Sequence, residues 1–260
     1  MPPLAELFPD RDYRLHLTLR RAEPAEFFAG RDESGRLLAE RAEWLACDSS
    51  RYAALLPAGR PLLAEFSAMA AEWGVGELKD AHALGLALEP DVLFLSPDAD
   101  GQFRLQGGAL CFPTGWALEE KLGQTLDVIH GPVPGLNTAL AAPIHQFLSK
   151  LKPGVSFLRD NWGLAGSTAL NLHPAQEIPP PAAPVALDEL WLRVEHQALL
   201  ALPATGGVAF GIRIALHRLD EVARSPAAGG LRRALESMPP AMVAYKRLEE
   251  VRTAVIALLG

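Results

Sequence analysis

The segment LWLRVEHQALLALPATGGVAFGIRIALHRL, residues 190–219, constrains the fold more than any other part of the chain. Two β-patterned runs flank PATGG, which predicts a long antiparallel hairpin. Side chains alternate along a strand. Leu190, Leu192, Val194, His196 and Ala198 therefore share one face, and Trp191, Arg193, Glu195, Gln197 and Leu199 share the other. With PATGG as the loop, Gln197 falls opposite Arg213, Glu195 opposite Ala215 and Arg193 opposite His217. One face then gathers Arg193, Glu195, Gln197, Arg213 and His217, with Gly211 and Ala215 leaving room. A one-residue slip would disperse that set. Such a face is either a solvated surface with cross-strand ion pairs or the wall of a polar pocket. In a pocket, arginines hold carboxylates and a glutamate holds a cation. His196, on the apolar face, reads as a satisfied core histidine or as a buried ligand.

The rest of the chain supplies further strands and helices. GRLLAERAEWLACD and GRPLLAEFSAMAAEWG have helical spacing, with Gly74 as a C-cap, so an N-terminal helical layer is expected over residues 1–84. DVLFLSPDADGQFRLQGGAL reads as strand, turn, strand. TGWALEEKLG predicts a short helix capped by Thr114 and ended by Gly123. Leu136, Leu140, Ile144, Phe147, Leu148 and Leu151 recur at helical spacing, with Pro143 starting or kinking that helix. GVSFLRDNWGLAG reads as a strand, and HPAQEIPPPAAP as an extended proline-rich connection. PPAMVAYKRLEEVRTAVIALLG predicts one amphipathic C-terminal helix beginning near Pro240. This order predicts an α+β fold over residues 85–260, an antiparallel sheet with helices on one face. With the N-terminal layer it makes one compact domain.

Charge and cysteine usage bound the function. The formal net charge of −7 argues against nucleic acid as the main partner. Two cysteines, Cys47 and Cys111, provide neither a disulfide framework nor a CxxC pair, and Cys111 reads as a small buried hydrophobe. The first residues show no apolar signal-peptide core, and no run of 18 apolar residues occurs, so a cytoplasmic protein with no membrane span is expected. HExxH, HxH, GxSxG, GxGxxG and P-loop patterns are all missing, which argues against zinc and nucleotide sites.

The candidate residue for chemistry outside the hairpin is His130, in VIHGPVPGLN. Pro132 and Pro134 fix φ at two positions, and Gly131 and Gly135 supply turn conformations. A stiff loop lowers the entropic cost of holding an imidazole in one orientation. The same stiffness would equally set the angle at which a helix begins. In RDNWGL, Asn161 and Trp162 interrupt an apolar strand, and the indole is either core or a flat wall beside a flat cofactor.

Several segments, in one order, resemble the haem-dependent oxidative N-demethylase α-subunit family of bacterial proteins. They are ALCFPTGWALEEKLG, IHGPVPGLN, NWGL, LWLRVEHQALLALPATGGVAFGIR and MPPAMVAYKRL, running from about residue 85 to the C-terminus. The resemblance implies a PAS-like haem-binding core. It also implies an enzyme that uses haem b and O2 to remove a methyl group from a small secondary amine, as dimethylamine gives methylamine and formaldehyde. Electrons would come from NADPH through reductase partner subunits carrying FMN and an iron–sulfur cluster. IHGPVPG matches the family run Ile-His-x-Pro-Val-Pro-Gly, so the resemblance makes His130 the iron ligand. RVEHQAL keeps the family's Arg193, Glu195 and Gln197, while His196 and Ala198 replace its arginine and threonine, and Gly163 replaces the serine of Asn-Trp-Ser-Leu.

On this resemblance Glu195 is the expected catalytic and substrate-binding carboxylate, with Asn161 and Gln197 beside it. Arg193 and Arg213 are expected to steady haem propionates, and Trp162 and Phe112 to line the flat pocket. His196 is a candidate second iron ligand. The rival function is a haem-based PAS-type gas or redox sensor without catalysis, and a third is a scaffold subunit with no cofactor.

Overall fold

A computed structural model describes residues 3–260. Its strands are β1 (Arg20–Ala22), β2 (Ala53–Leu55), β3 (Asp91–Pro97), β4 (Phe103–Ala109), β5 (Ser156–Ala165), β6 (Trp191–Leu202) and β7 (Gly207–Arg218). They form one antiparallel sheet in the order β1-β5-β6-β7-β3-β4-β2. The chain is α+β, as its patterning predicts. The β6–β7 hairpin lies at the centre, and the first 84 residues supply both edge strands.

Helices cover both faces. On the face carrying Leu199, Val208 and Ile212, the helices Leu126–His130 and Leu136–Ser149 bury Leu126, Leu136, Ile144 and Leu148. The opposite face is shared. Phe28, Leu62 and Phe66 from the N-terminal helices cover Phe94, Ala198, Leu200 and Ala209. Leu231, Leu235, Met242 and Val243 from the C-terminal helices cover Leu192 and Val194. Burial of these apolar surfaces is the main stabilising term, at about 1.5–3 kcal/mol per large side chain. Among the described residues no helix is long and apolar enough to cross a membrane.

Three local expectations are corrected. The hairpin loop is four residues, not five, because Gly207 pairs with Leu202 and the turn takes its positive φ at Gly206. Gln197 therefore faces Ile212, Glu195 faces Ile214 and Arg193 faces Leu216. Arg213 and His217 move to the His196 face, and so does Gly211, where a Cβ would meet the rings of Phe27 and Phe28 at 2.6 Å. TGWALEEKLG forms turns rather than a helix, bounded by Gly115 and Gly123 at positive φ, and Thr114 accepts a bond from Arg193 instead of capping. Seven residues stand between these two glycines, and with no side-chain cap and a positive-φ glycine at each end they bear the nucleation cost for few intrahelical bonds. The C-terminal helix is two, Pro240–Tyr245 and Arg252–Leu258. Arg247 at φ 56 breaks it, with Leu248 N–H donating to the Val243 carbonyl in a Schellman closure.

Buried ion pairs tie the N-terminal helices to the sheet. Arg41, fully buried, contacts Asp91 at 2.6 Å. Asp91 also accepts the backbone N–H groups of Cys111 (2.6 Å) and Phe112 (3.0 Å). Arg213 pairs with Glu89 at 2.9 Å and donates to the Phe27 and Gly30 carbonyls.

Candidate active site

The β5–β6 register builds one polar patch. Arg159 pairs with Gln197, Asn161 with Glu195 and Gly163 with Arg193. Alternation points Arg159, Asn161, Gly163, Glu195 and Gln197 to the face that carries the helices Leu126–His130 and Leu136–Ser149. Glu195 is buried, and its Oε2 accepts from Gln197 Nε2 at 2.8 Å and from Asn161 Nδ2 at 3.2 Å. The Asn161 side chain is thus oriented with its Oδ1 free to accept Lys246 Nζ at 3.3 Å.

Lys246 comes from the break after Pro240–Tyr245. Its Nζ also donates to the Trp162 carbonyl at 2.5 Å and lies 5.3 Å from the indole centroid. Burial pushes this ammonium down to about 8, and Arg159 pushes the same way while Glu195 opposes. A chain of contacts runs Lys246–Asn161–Glu195–Gln197 around the free edge of β5.

His130 ends the helix Leu126–His130, whose cap is Thr125, and Ile129 and Val133 pack that motif onto the sheet. Val133 N–H donates to the His130 carbonyl at 2.9 Å, and Gly135 at φ 72 opens the next helix. The prolines and glycines thus set both the ring's mounting and the start of the following helix. Among the described residues the His130 ring has no hydrogen-bond partner. Burial, then Arg159, pushes it down to about 4, with His145 adding to this and Asp127 opposing it. It is therefore a neutral imidazole at pH 7 with a lone pair to offer. Neighbouring Asp127 is occupied by His145 (3.0 Å) and by Asn137 (2.7 Å to its carbonyl).

Other expected site residues lie elsewhere. Arg193 is on the right face, but its guanidinium is spent on Thr114 Oγ1 (3.0 Å) and the carbonyls of Leu170 (2.8 Å), Phe112 (3.1 Å) and Ala169 (3.2 Å). Burial lowers it to about 10. Arg213 faces away, held by Glu89. Trp162 also faces away, edge-on to Phe8 at 5.1 Å. Phe112 packs with Leu45, Tyr52 and Leu170, and Arg41 lies over its ring at 5.5 Å. His196 is bound through Nδ1 to Asp160 (2.6 Å), itself paired with Arg20 at 2.5 Å. That places His196 across the sheet from His130, so the two cannot ligate one iron.

Two residues of the patch lie outside the sequence expectations, Arg159 and Lys246. Arg159 shares strand parity with Asn161, so the signal was available. Lys246 at a helix end carries no such signal. Among the described residues no three His, Cys, Asp or Glu side chains converge as a metal site. One imidazole suffices only for an iron already held by a macrocycle. An ideal Cβ on Gly163 meets nothing within 4 Å, so space lies open beside Asn161 and Arg193. A neutral imidazole with no hydrogen-bond partner among the described residues, and room beside Gly163 on a polar strand face, fit the chemistry a haem iron needs. Residues 61–256 match the family model described as haem-dependent oxidative N-demethylase, alpha subunit-like.

Proposed function

This chain belongs to the haem-dependent oxidative N-demethylase, alpha subunit-like family, and on that premise we propose that it is the haem-binding oxidoreductase subunit of an oxidative N-demethylase with a PAS-like core. Haem, when bound, supplies the activation of O2 by which an N-methyl group leaves as formaldehyde. His130, at the end of the Leu126–His130 helix, would hold the iron. The carboxylate of Glu195, fixed by Asn161 and Gln197, receives the amine N–H of a small secondary amine and holds it in one orientation. Electrons reach the site from NADPH through reductase subunits carrying FMN and an iron–sulfur cluster.

The observation that carries this reading is His130. It is the neutral, partnerless imidazole on the face where Glu195, Asn161 and Gln197 converge. The family residues replaced at 196 and 198 do not weaken it, because His196 and Ala198 point to the opposite face. The test is reconstitution with haem b. The expected result is a Soret band in the wild type that is lost or shifted in His130→Ala, and formaldehyde release from dimethylamine with a reductase and NADPH. A wild-type protein that takes up no haem would reject the reading.

A further inference from the structure

The charge that this site leaves unanswered is Arg159. It is half-buried, points to the Glu195 face, and among the described residues has no ion-pair or hydrogen-bond partner for its guanidinium. The other partly or fully buried arginines of the sheet are all engaged. Arg20 has Asp160, Arg213 has Glu89, and Arg193 has its carbonyls. Leaving a guanidinium half out of water without a partner is costly, so the fold tolerates it only where water or a ligand completes it.

Glu195 and Asp160 favour the charge of Arg159, but among the described residues neither pairs with its guanidinium directly. Glu195 is shared by Asn161 and Gln197, and Lys246 stands one residue further along the same chain of contacts. Asp160 points to the other face, taken by Arg20 and His196. Two cations, Arg159 and Lys246, thus share one carboxylate, Glu195, in a chain whose net charge is −7. Such a locally inverted field selects anions.

We propose that Arg159 is the carboxylate-recognition residue of this site, taking either a haem propionate or the acid end of an N-methylated amino acid. The planar fork of a guanidinium matches a carboxylate in two parallel bonds. The inference rests on the haem reading above and sharpens its substrate class. A small cationic amine can settle on Glu195 only once a carboxylate has neutralised Arg159. A propionate supplies that for an amine such as dimethylamine. Otherwise the substrate must carry its own acid group.

The experiment titrates wild type, Arg159→Gln and Arg159→Lys with haem and with haem dimethyl ester, read at the Soret band. N-methylglycine and dimethylamine are then added to the loaded proteins, and N-methylglycine binding to the haem-free proteins is followed by calorimetry. Recognition of a propionate predicts that esterification weakens wild-type binding about tenfold to a hundredfold. Arg159→Gln then shows the same loss with haem and none further with the ester, and Arg159→Lys recovers part of it. Recognition of the substrate acid predicts unchanged haem affinity. N-methylglycine then perturbs the Soret band of the wild type and needs at least about tenfold more in Arg159→Gln, whereas dimethylamine, kept off Glu195 by the free guanidinium in the wild type, binds more tightly in Arg159→Gln. Equal affinities for haem, ester and N-methylglycine in all three proteins would overturn the proposal. Wild type that takes up no porphyrin would defeat the haem reading alone, and calorimetry with N-methylglycine would still decide for or against Arg159. Should Arg159→Gln fail to fold, the ester comparison in wild type and the lysine variant carry the same decision.

Discussion

The two faces of the central hairpin carry the same kinds of residue and put them to opposite uses. Behind the sheet, His196 has Asp160, Asp160 has Arg20, and Arg213 has Glu89. In front of it, among the described residues, His130 and Arg159 have no hydrogen-bond partner for their side chains, and Glu195 is held by the amides of Asn161 and Gln197. Residue type does not separate a site from a scaffold here. Saturation does. A buried charge whose hydrogen bonds are made serves the fold, as Arg193 does even on the front face, whereas groups left with free valences are available to a ligand.

The contrast is broken most severely at the scaffold. Asp91→Ala strands Arg41, fully buried, and removes the acceptor of two backbone N–H groups. A loss of about 3–5 kcal/mol is expected in denaturant titrations. A smaller effect, about 1–3 kcal/mol, is expected for Asp160→Asn, which leaves Arg20 and His196 with a weaker acceptor. That variant should keep the Soret spectrum of reconstituted wild type unchanged. A shifted spectrum would mean that the two faces are not independent.

Lys246 stands at the join between the faces, and its titration tests it. Its ammonium is lowered from 10.5 to about 8 in the fold, chiefly by burial. Between those values the unfolded chain binds more protons than the folded one, so stability rises with pH from about 8 to 10.5 and is lost again as pH falls through 8. The full swing is on the order of 2–3 kcal/mol. Lys246→Met should flatten that slope, measured as wild type minus variant in unfolding free energy across the window. An unchanged slope would mean that the ammonium is not held out of water.

Patterning made the sheet legible and left its register open. Period-two alternation marks β3, β4, β5, β6 and β7, and PATGG marks a turn, but the composition fits a loop of four or five residues equally well. Gly207, which can pair as easily as turn, decided for four, and with it which arginine shares a face with Glu195. The Asn161–Glu195–Gln197 set survives because Glu195 and Gln197 share one strand's parity, and the β5 pairing brings Asn161 opposite. Trp162, Phe112 and Arg213 do not join it, because whether an aromatic or arginine faces site or core depends on partners distant in sequence. Lys246 was illegible for the same reason. Only the turn at Arg247, a left-handed residue with no glycine to announce it, brings that ammonium to the edge of β5.

The mildest perturbation separates the faces most finely. Gly163 and Ala198 both stand where the resemblance leads to the expectation of a hydroxyl residue, yet they sit on opposite sides of the sheet. Ala198 is fully buried in the cluster with Phe28, Leu62 and Phe66, so Ala198→Thr forces extra volume and a hydroxyl into packed apolar surroundings, at a cost of about 1–3 kcal/mol. Gly163→Ser enters open space at an unstrained φ, so stability should change by no more than about 0.5 kcal/mol. Its hydroxyl nevertheless points to the face of Glu195 and Asn161. Amine-induced changes in the Soret band should therefore respond to Gly163→Ser and be indifferent to Ala198→Thr once both are compared at equal folded fraction. The reverse pattern would put the site behind the sheet, with the saturated histidine and not the free one.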